Sequence, residues 1–201
     1  MRIHTFKTID KEYFAQIDQK KSKFIGFAFP INNSTEVKYL LEKLRKAHPK
    51  AVHFCYAYIL GTNEKTSKSN DDGEPAGSAG KPILNVLLSN QLSQILVVVV
   101  RYWGGTLLGV QGLISAYKSA TLEVLKLANI VELDNVFTVE IAIDYPKINV
   151  ILKIIKQLEG NILNQKIDNL CSYTLQFKTK QESAVLESLK QANIINFKIE
   201  N

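Results

Sequence analysis

QILVVVVRYWGG, residues 94–105, decides the fold class. Ile95–Val100 is an unbroken run of aliphatic strand formers, far too short to cross a bilayer. It has the pattern of a central strand buried on both faces. Gly104-Gly105 ends that strand, and LISAYKSATLEVLKLAN (113–129) follows as an amphipathic helix with Leu113, Tyr117, Leu122 and Leu125 available for packing. On the other side, Pro82 suits the first turn of a helix whose apolar face is ILNVLL, ending near Asn90. VHFCYAYIL (52–60) alternates, with Val52, Phe54, Tyr56 and Tyr58 on one face and His53, Cys55, Ala57 and Ile59 on the other. KFIGFAFPI (23–31) reads as a strand, preceded by another near Ile3–Ile9. Val37, Leu40, Leu41 and Leu44, after the start signal Asn33-Ser34-Thr35, predict a helix over Ser34–Ala47. Residues 61–82, GTNEKTSKSNDDGEPAGSAGKP, carry almost no large apolar side chain and read as one long polar loop. Loops of that length in compact domains are usually functional or mobile.

Beyond Asn129 a second pattern begins. FTVEIAI is a strand, PKINVILKIIKQLEG a helix, NILNQKI and SYTLQFKT two strands about an Asp168-Asn169 turn, QESAVLESLKQAN a helix and IINFKIE a last strand. The order β-α-β-β-α-β within about 65 residues is the split βαβ, ferredoxin-like plan. The chain therefore reads as α+β with two domains, residues 1–132 and 136–201, each expected as an open sheet with helices on one face.

Composition narrows the class. The 201 residues are 46% hydrophobic and 22% charged, which excludes disorder and low-complexity filler. Two cysteines exclude a disulfide framework. The N-terminal MRIHTFKTIDKEYF lacks the apolar core of a signal peptide, so a cytoplasmic protein with no membrane association is expected. The net charge of +6 is concentrated in residues 1–50, where 11 Lys/Arg face 5 Asp/Glu. Lys20, Lys21 and Lys23 are its densest cluster and the candidate contacts to nucleic-acid phosphates, unless they are an ordinary solvated face.

Two segments carry residue types suited to chemistry. Asn70-Asp71-Asp72-Gly73-Glu74-Pro75 places three carboxylates within four residues. Such a cluster suits a hard cation such as Mg²⁺, acid/base work by one carboxyl, or a plain solvated turn. No defined set of metal ligands is read from the spacing, so no resident cofactor is expected beyond that possible Mg²⁺. Gly104, Gly105 and Gly109, at the end of the buried strand and the entrance of the following helix, would let backbone N–H groups face an anion, with Arg101 adding charge. They would serve equally as a tight turn. Together Asp71, Asp72, Glu74, Arg101, Gly104, Gly105, Gly109 and His53 form the candidate anion- or ligand-binding cleft, with Arg101 the natural partner of one loop carboxylate. No catalytic residue is assigned. His53 with Cys55 could supply a nucleophile or two metal ligands, or be packing.

HPKAVHFCYAY (48–58), NDDGEPAGSAGKPIL (70–84) and VVVVRYWGGTLLGVQGLISAY (97–117), supported by KKSKFIGFAFPI (20–31), resemble the YigZ/Impact family in order and interval. Gln111 departs from the family, whose members commonly have Gly there. The resemblance implies a first domain like domain 2 of ribosomal protein S5 and a second like domain V of elongation factor G. It implies a non-enzymatic role in translation or on RNA, with RNA, the ribosome or a translation-related protein as partner, since eukaryotic Impact proteins are translational regulators. The alternative is a small enzyme or a nucleotide or phosphate binder using the NDDGEP loop and the RYWGG turn.

Overall fold

The computed structural model describes residues 4–62, 65–168 and 170–200. It is mixed α and β structure with three sheets, and the chain divides into two compact units, Phe6–Leu133 and Asp134–Asn201 with Met1–Thr5.

The larger unit contains β1 (Thr5–Ile9), β2 (Tyr13–Gln19), β3 (Ser22–Pro30), α1 (Ser34–Ala47), β4 (His53–Leu60), β5 (Thr66–Asn70), α2 (Gly80–Ser89), β6 (Ile95–Tyr102), α3 (Gly109–Leu127) and β7 (Ile130–Asp134). Five strands form an antiparallel sheet in the order β2-β3-β6-β4-β5, and β1 pairs with β7 in a separate ribbon. β6 is the central strand that its sequence predicts, with every residue from Ile95 to Val100 fully buried. Alternation along β6 and β4 sends Ile95, Val97, Val99, Cys55, Ala57 and Ile59 toward α2 and α3. The opposite face, with Leu96, Val98, Val100, Phe54 and Tyr58, packs against Val37 and Leu44 of α1. Helices therefore cover both faces, which corrects the expected one-sided arrangement for this domain. The reason lies in β6, because a strand apolar on both faces needs cover on both.

α1 occupies its predicted span. Asn33 caps it, its side-chain oxygen accepting from Thr35 and Glu36 N–H at 3.0 and 3.1 Å, while Glu36 reaches back to the Asn33 amide at 2.7 Å. Three strands depart from expectation. β5 lies inside the stretch read as loop, pairing Tyr56↔Asn70 through Leu60↔Thr66 with β4. It is a largely exposed edge strand, so its sequence TSKSN carries no apolar alternation. β2 and β7 also escape the sequence reading, neither having a single fully buried residue. The strand expected from Ile3 begins outside the described residues. So does part of the 61–82 stretch, at Asn63 and Glu64.

The smaller unit contains β8 (Val136–Ile143), α4 (Ile148–Gln157), β9 (Asn161–Lys166), β10 (Cys171–Lys178), α5 (Glu182–Gln191) and β11 (Phe197–Glu200). Its sheet order is β11-β8-β10-β9, with every pair antiparallel. Phe137, Val139, Ile141 and Ile143 alternate inward and meet Tyr173, Leu175 and Phe177 of β10 and Ile151, Ile154, Val185 and Leu189 of the two helices. Asn169 of the expected Asp168-Asn169 turn lies outside the described residues. Among the described residues no helix is long and apolar enough to cross a membrane.

Candidate functional site

Every carboxylate of the NDDGEP loop is held by a protein donor. Asn70 opens the turn by accepting from the Asp72 N–H at 2.7 Å. The chain then reverses through positive φ at Asp72 (42°) and Gly73 (89°). Asp71 points forward to α2, whose N-cap Ala79 has no side chain able to cap it. The Asp71 carboxylate takes that role, accepting from Gly77, Ala79 and Gly80 N–H at 2.9, 3.0 and 2.8 Å. Partial burial pushes its pKa up, but the three backbone donors outweigh burial and hold it below the ordinary 3.8. A depressed carboxylate stabilises the fold above its unfolded-state pKa, and the contribution is lost as pH falls through the folded value. Asp71→Asn is therefore expected to flatten the acid limb of the stability–pH profile below about pH 4, read from thermal melts between pH 2 and 7.

Asp72 ties the loop to β4 and α1. Its carboxylate accepts from the Phe54 N–H and from the Arg45 guanidinium, both at 2.7 Å, and Arg45 lies over the Phe54 ring at 4.6 Å. Below them Glu74 is buried, and one carboxylate oxygen accepts from Arg101 Nη1 at 2.6 Å and from the Tyr117 hydroxyl at 2.7 Å. The Arg101 side chain is 7% exposed, and its Nε is buried with no hydrogen-bond partner. His53 hydrogen-bonds through Nδ1 to the Asp72 carbonyl at 2.8 Å, so Nδ1 carries the proton, and Nε2 faces Glu74 at 3.9 Å. Cys55 shares its S–H between the Asp71 carbonyl (2.9 Å) and the Tyr117 hydroxyl oxygen (3.2 Å). Burial first, and then the surrounding carboxylates, push the thiol well above its ordinary range. Burial likewise raises Tyr117, followed by the neighbouring Cys55 and Glu74. A thiol so raised is a poor nucleophile.

The glycine turn divides into two parts. Gly104 is fixed by packing, since a Cβ there would sit 2.0 Å from the Lys21 carbonyl oxygen, and its N–H reaches Ser22 Oγ at 3.1 Å. Gly105 and Gly109 have φ of 79° and 72° with open space at the Cβ position, and α3 starts at Gly109 without a side-chain cap. Gln111 lies in the first turn of α3, so its departure from glycine demands no unusual backbone.

Gly104 also explains where the basic cluster sits. Lys20 and Lys21 form the two-residue tip of the β2–β3 hairpin, both at positive φ, between the paired Gln19 and Ser22. The hairpin tip is thus held against the 103–105 turn. Lys23 pairs with Tyr102, and Trp103 beside it is 58% exposed. The structure therefore gathers Asp71, Asp72, Glu74, Arg101 and His53 into one network, while Lys20, Lys21, Lys23 and Gly104 belong to a separate contact. Tyr117 and Arg45 enter the network without having been singled out for it. Tyr117 reads as one apolar contact of an amphipathic helix, and Arg45 as one more positive charge, so neither carries a local signal. Among the described residues no three His, Cys, Asp or Glu side chains are grouped to hold a metal ion.

The chain has counterparts among known proteins. Residues 20–125 match the Impact N-terminal domain, and the chain belongs to the Impact family. IMPACT family member YigZ of Escherichia coli is 34% identical over 147 residues, 72% of this chain and 72% of that protein. IMPACT family member YvyE of Bacillus subtilis is 38% identical over 130 residues, 65% of this chain and 60% of that protein. A crystal structure described only as that of a hypothetical protein aligns with a TM-score of 0.78 at 26% identity, covering 98% of this chain and 97% of that one. The four motif stretches at 20–31, 48–58, 70–84 and 97–117 lie within residues 20–125.

Proposed function

We propose that this Impact-family chain is a non-enzymatic binding protein that acts in translation or on RNA, with a first domain of the ribosomal protein S5 domain 2 type and a ferredoxin-like second domain. The observation that carries the reading is the hairpin tip. Lys20 and Lys21 occupy left-handed backbone positions that Asn or Gly would fill with less strain. Together with Lys23 they are exposed and have no carboxylate partner among the described residues. Trp103 beside them offers a face on which a base can stack. The engagement of Asp71, Asp72 and Glu74 with protein donors supports a structural use of the acidic loop over a catalytic one.

The test is sedimentation with ribosomes across a salt series, paired with titration of single-stranded RNA followed by Trp103 fluorescence. Replacing Lys20, Lys21 and Lys23 with Gln is expected to weaken RNA binding and to reduce the salt slope by about 2, on the basis of roughly 0.7 per single-strand phosphate contact. Charge reversal of Lys153 and Lys156 serves as the control. Unchanged affinity in the triple variant removes the hairpin from the reading.

One observation favours a second reading, in which the Gly105–Gly109 turn and Arg101 receive a nucleotide or phosphate, with Mg²⁺ at the acidic loop. It is the buried Arg101 Nε without a hydrogen-bond partner, together with an α3 N-terminus that no side chain caps. Protection of the amides of residues 70–80 and 104–109 by Mg-ATP, absent with RNA, would favour it.

A further inference from the structure

A trough of about 580 Å³ runs between α2 and α3 in the larger unit. Lys81, Asn85 and Ser89 line one wall, and their spacing of four residues makes a single stripe along α2, with Gly77 of the preceding loop at its end. From Lys81 to Ser89 this stripe spans about 12 Å at the helical rise. The floor is apolar, formed by Pro82, Val86 and Ile114, and Lys118 of α3 stands on the opposite wall. Lys81 and Lys118 are both exposed, and neither has a carboxylate partner among the described residues. No acidic side chain lines the trough.

From this we infer that the α2–α3 trough is a docking site for an acidic amphipathic segment of a partner protein. Two features decide the chemistry of the occupant. A small inorganic anion gains nothing from the apolar floor, and a purely apolar ligand leaves two unpaired lysines at the walls. A segment with Leu or Ile on one face and Asp or Glu at its margins satisfies both. The length of the stripe fits two helical turns, the geometry of helix-in-groove recognition. The lysines supply steering and register, and the apolar floor supplies the anchoring contact. The inference stands on residues separate from the RNA reading and does not depend on it.

The test is selection of a random 12-residue peptide library on the full chain, followed by fluorescence anisotropy of the selected peptides. The expected winners carry acidic residues flanking apolar residues at i, i+3 or i+4. They are expected to bind the Lys81→Glu/Lys118→Glu variant at least tenfold more weakly and the Lys81→Arg/Lys118→Arg variant as well as the parent. Thermal melts identical to the parent's establish that the charge-reversed variant is folded, and Ile114→Asp provides an independent second break. Winners without acidic residues, or winners that bind the charge-reversed variant within threefold, overturn the inference. Displacement by inorganic phosphate at constant ionic strength would place a small anion in the trough and overturn it equally.

Discussion

Replacing Arg101 with alanine is expected to remove about 3–5 kcal/mol from the larger unit, the cost of leaving one partner of a buried ion pair uncompensated. Glu74 would remain buried with the Tyr117 hydroxyl hydrogen-bonded to it and His53 Nε2 at 3.9 Å. The first consequence is local. Glu74 anchors the NDDGEP loop to β6, so amide exchange across Asn70–Gly80 should accelerate most. Glu74→Gln should lose a comparable amount, because it strands the guanidinium instead. The paired Arg101→Met/Glu74→Leu variant should lose less than either single change, since apolar replacement removes both charges together. Urea unfolding followed by exchange and mass spectrometry reads all three, with the smaller unit as internal reference. A loss below about 1 kcal/mol for Arg101→Ala would mean that the pair does not hold the loop.

Gly104→Ala should be the next most damaging change. A Cβ 2.0 Å from the Lys21 carbonyl oxygen runs into the Lys21–Ser22 peptide, so the 103–105 turn must leave the hairpin. Overpacking of this kind costs about 1–3 kcal/mol. Trp103 is the only tryptophan in the chain, so its emission reports the displacement directly. Gly105→Ala, where φ is 79° but the space is open, should cost about 1 kcal/mol of backbone strain and leave the emission unmoved. Equal effects at the two glycines would show that the hairpin contact is not what fixes Gly104.

What the sequence revealed follows from which signals are local. The aliphatic run of β6, the capped α1 and the alternation of β4 are written in neighbouring residues, and their spans were readable. β5 was not, because a polar edge strand has no apolar face and is defined only by the partner it pairs with. The placement of α1 opposite α2 and α3 was implicit in a β6 buried on both sides, yet it takes the three-dimensional pairing to assign which helix covers which face. Within the site, an ion pair between Arg101 and one loop carboxylate could be anticipated from charge alone. That Glu74 is the partner, while Asp71 caps α2 and Asp72 holds Arg45, depends on the turn geometry from Asn70 to Gly73. Tyr117 and Cys55 join through a helix and a strand distant in sequence, where no pattern of neighbours could place them.

The ribbon of β1 and β7 has a consequence for how the chain is made. Its two strands lie about 125 residues apart in sequence, and the Asp10 N–H bonds to the Asn129 carbonyl across the same closure. Closing a loop of that length costs on the order of 4 kcal/mol of chain entropy, offset only once the later elements are in place. Within the larger unit, the earliest strand to be made is therefore the last to find its partner. A nascent chain halted before Ile130 carries β1 with that edge unpaired, available to chaperones or to proteases until the final strand of the domain emerges.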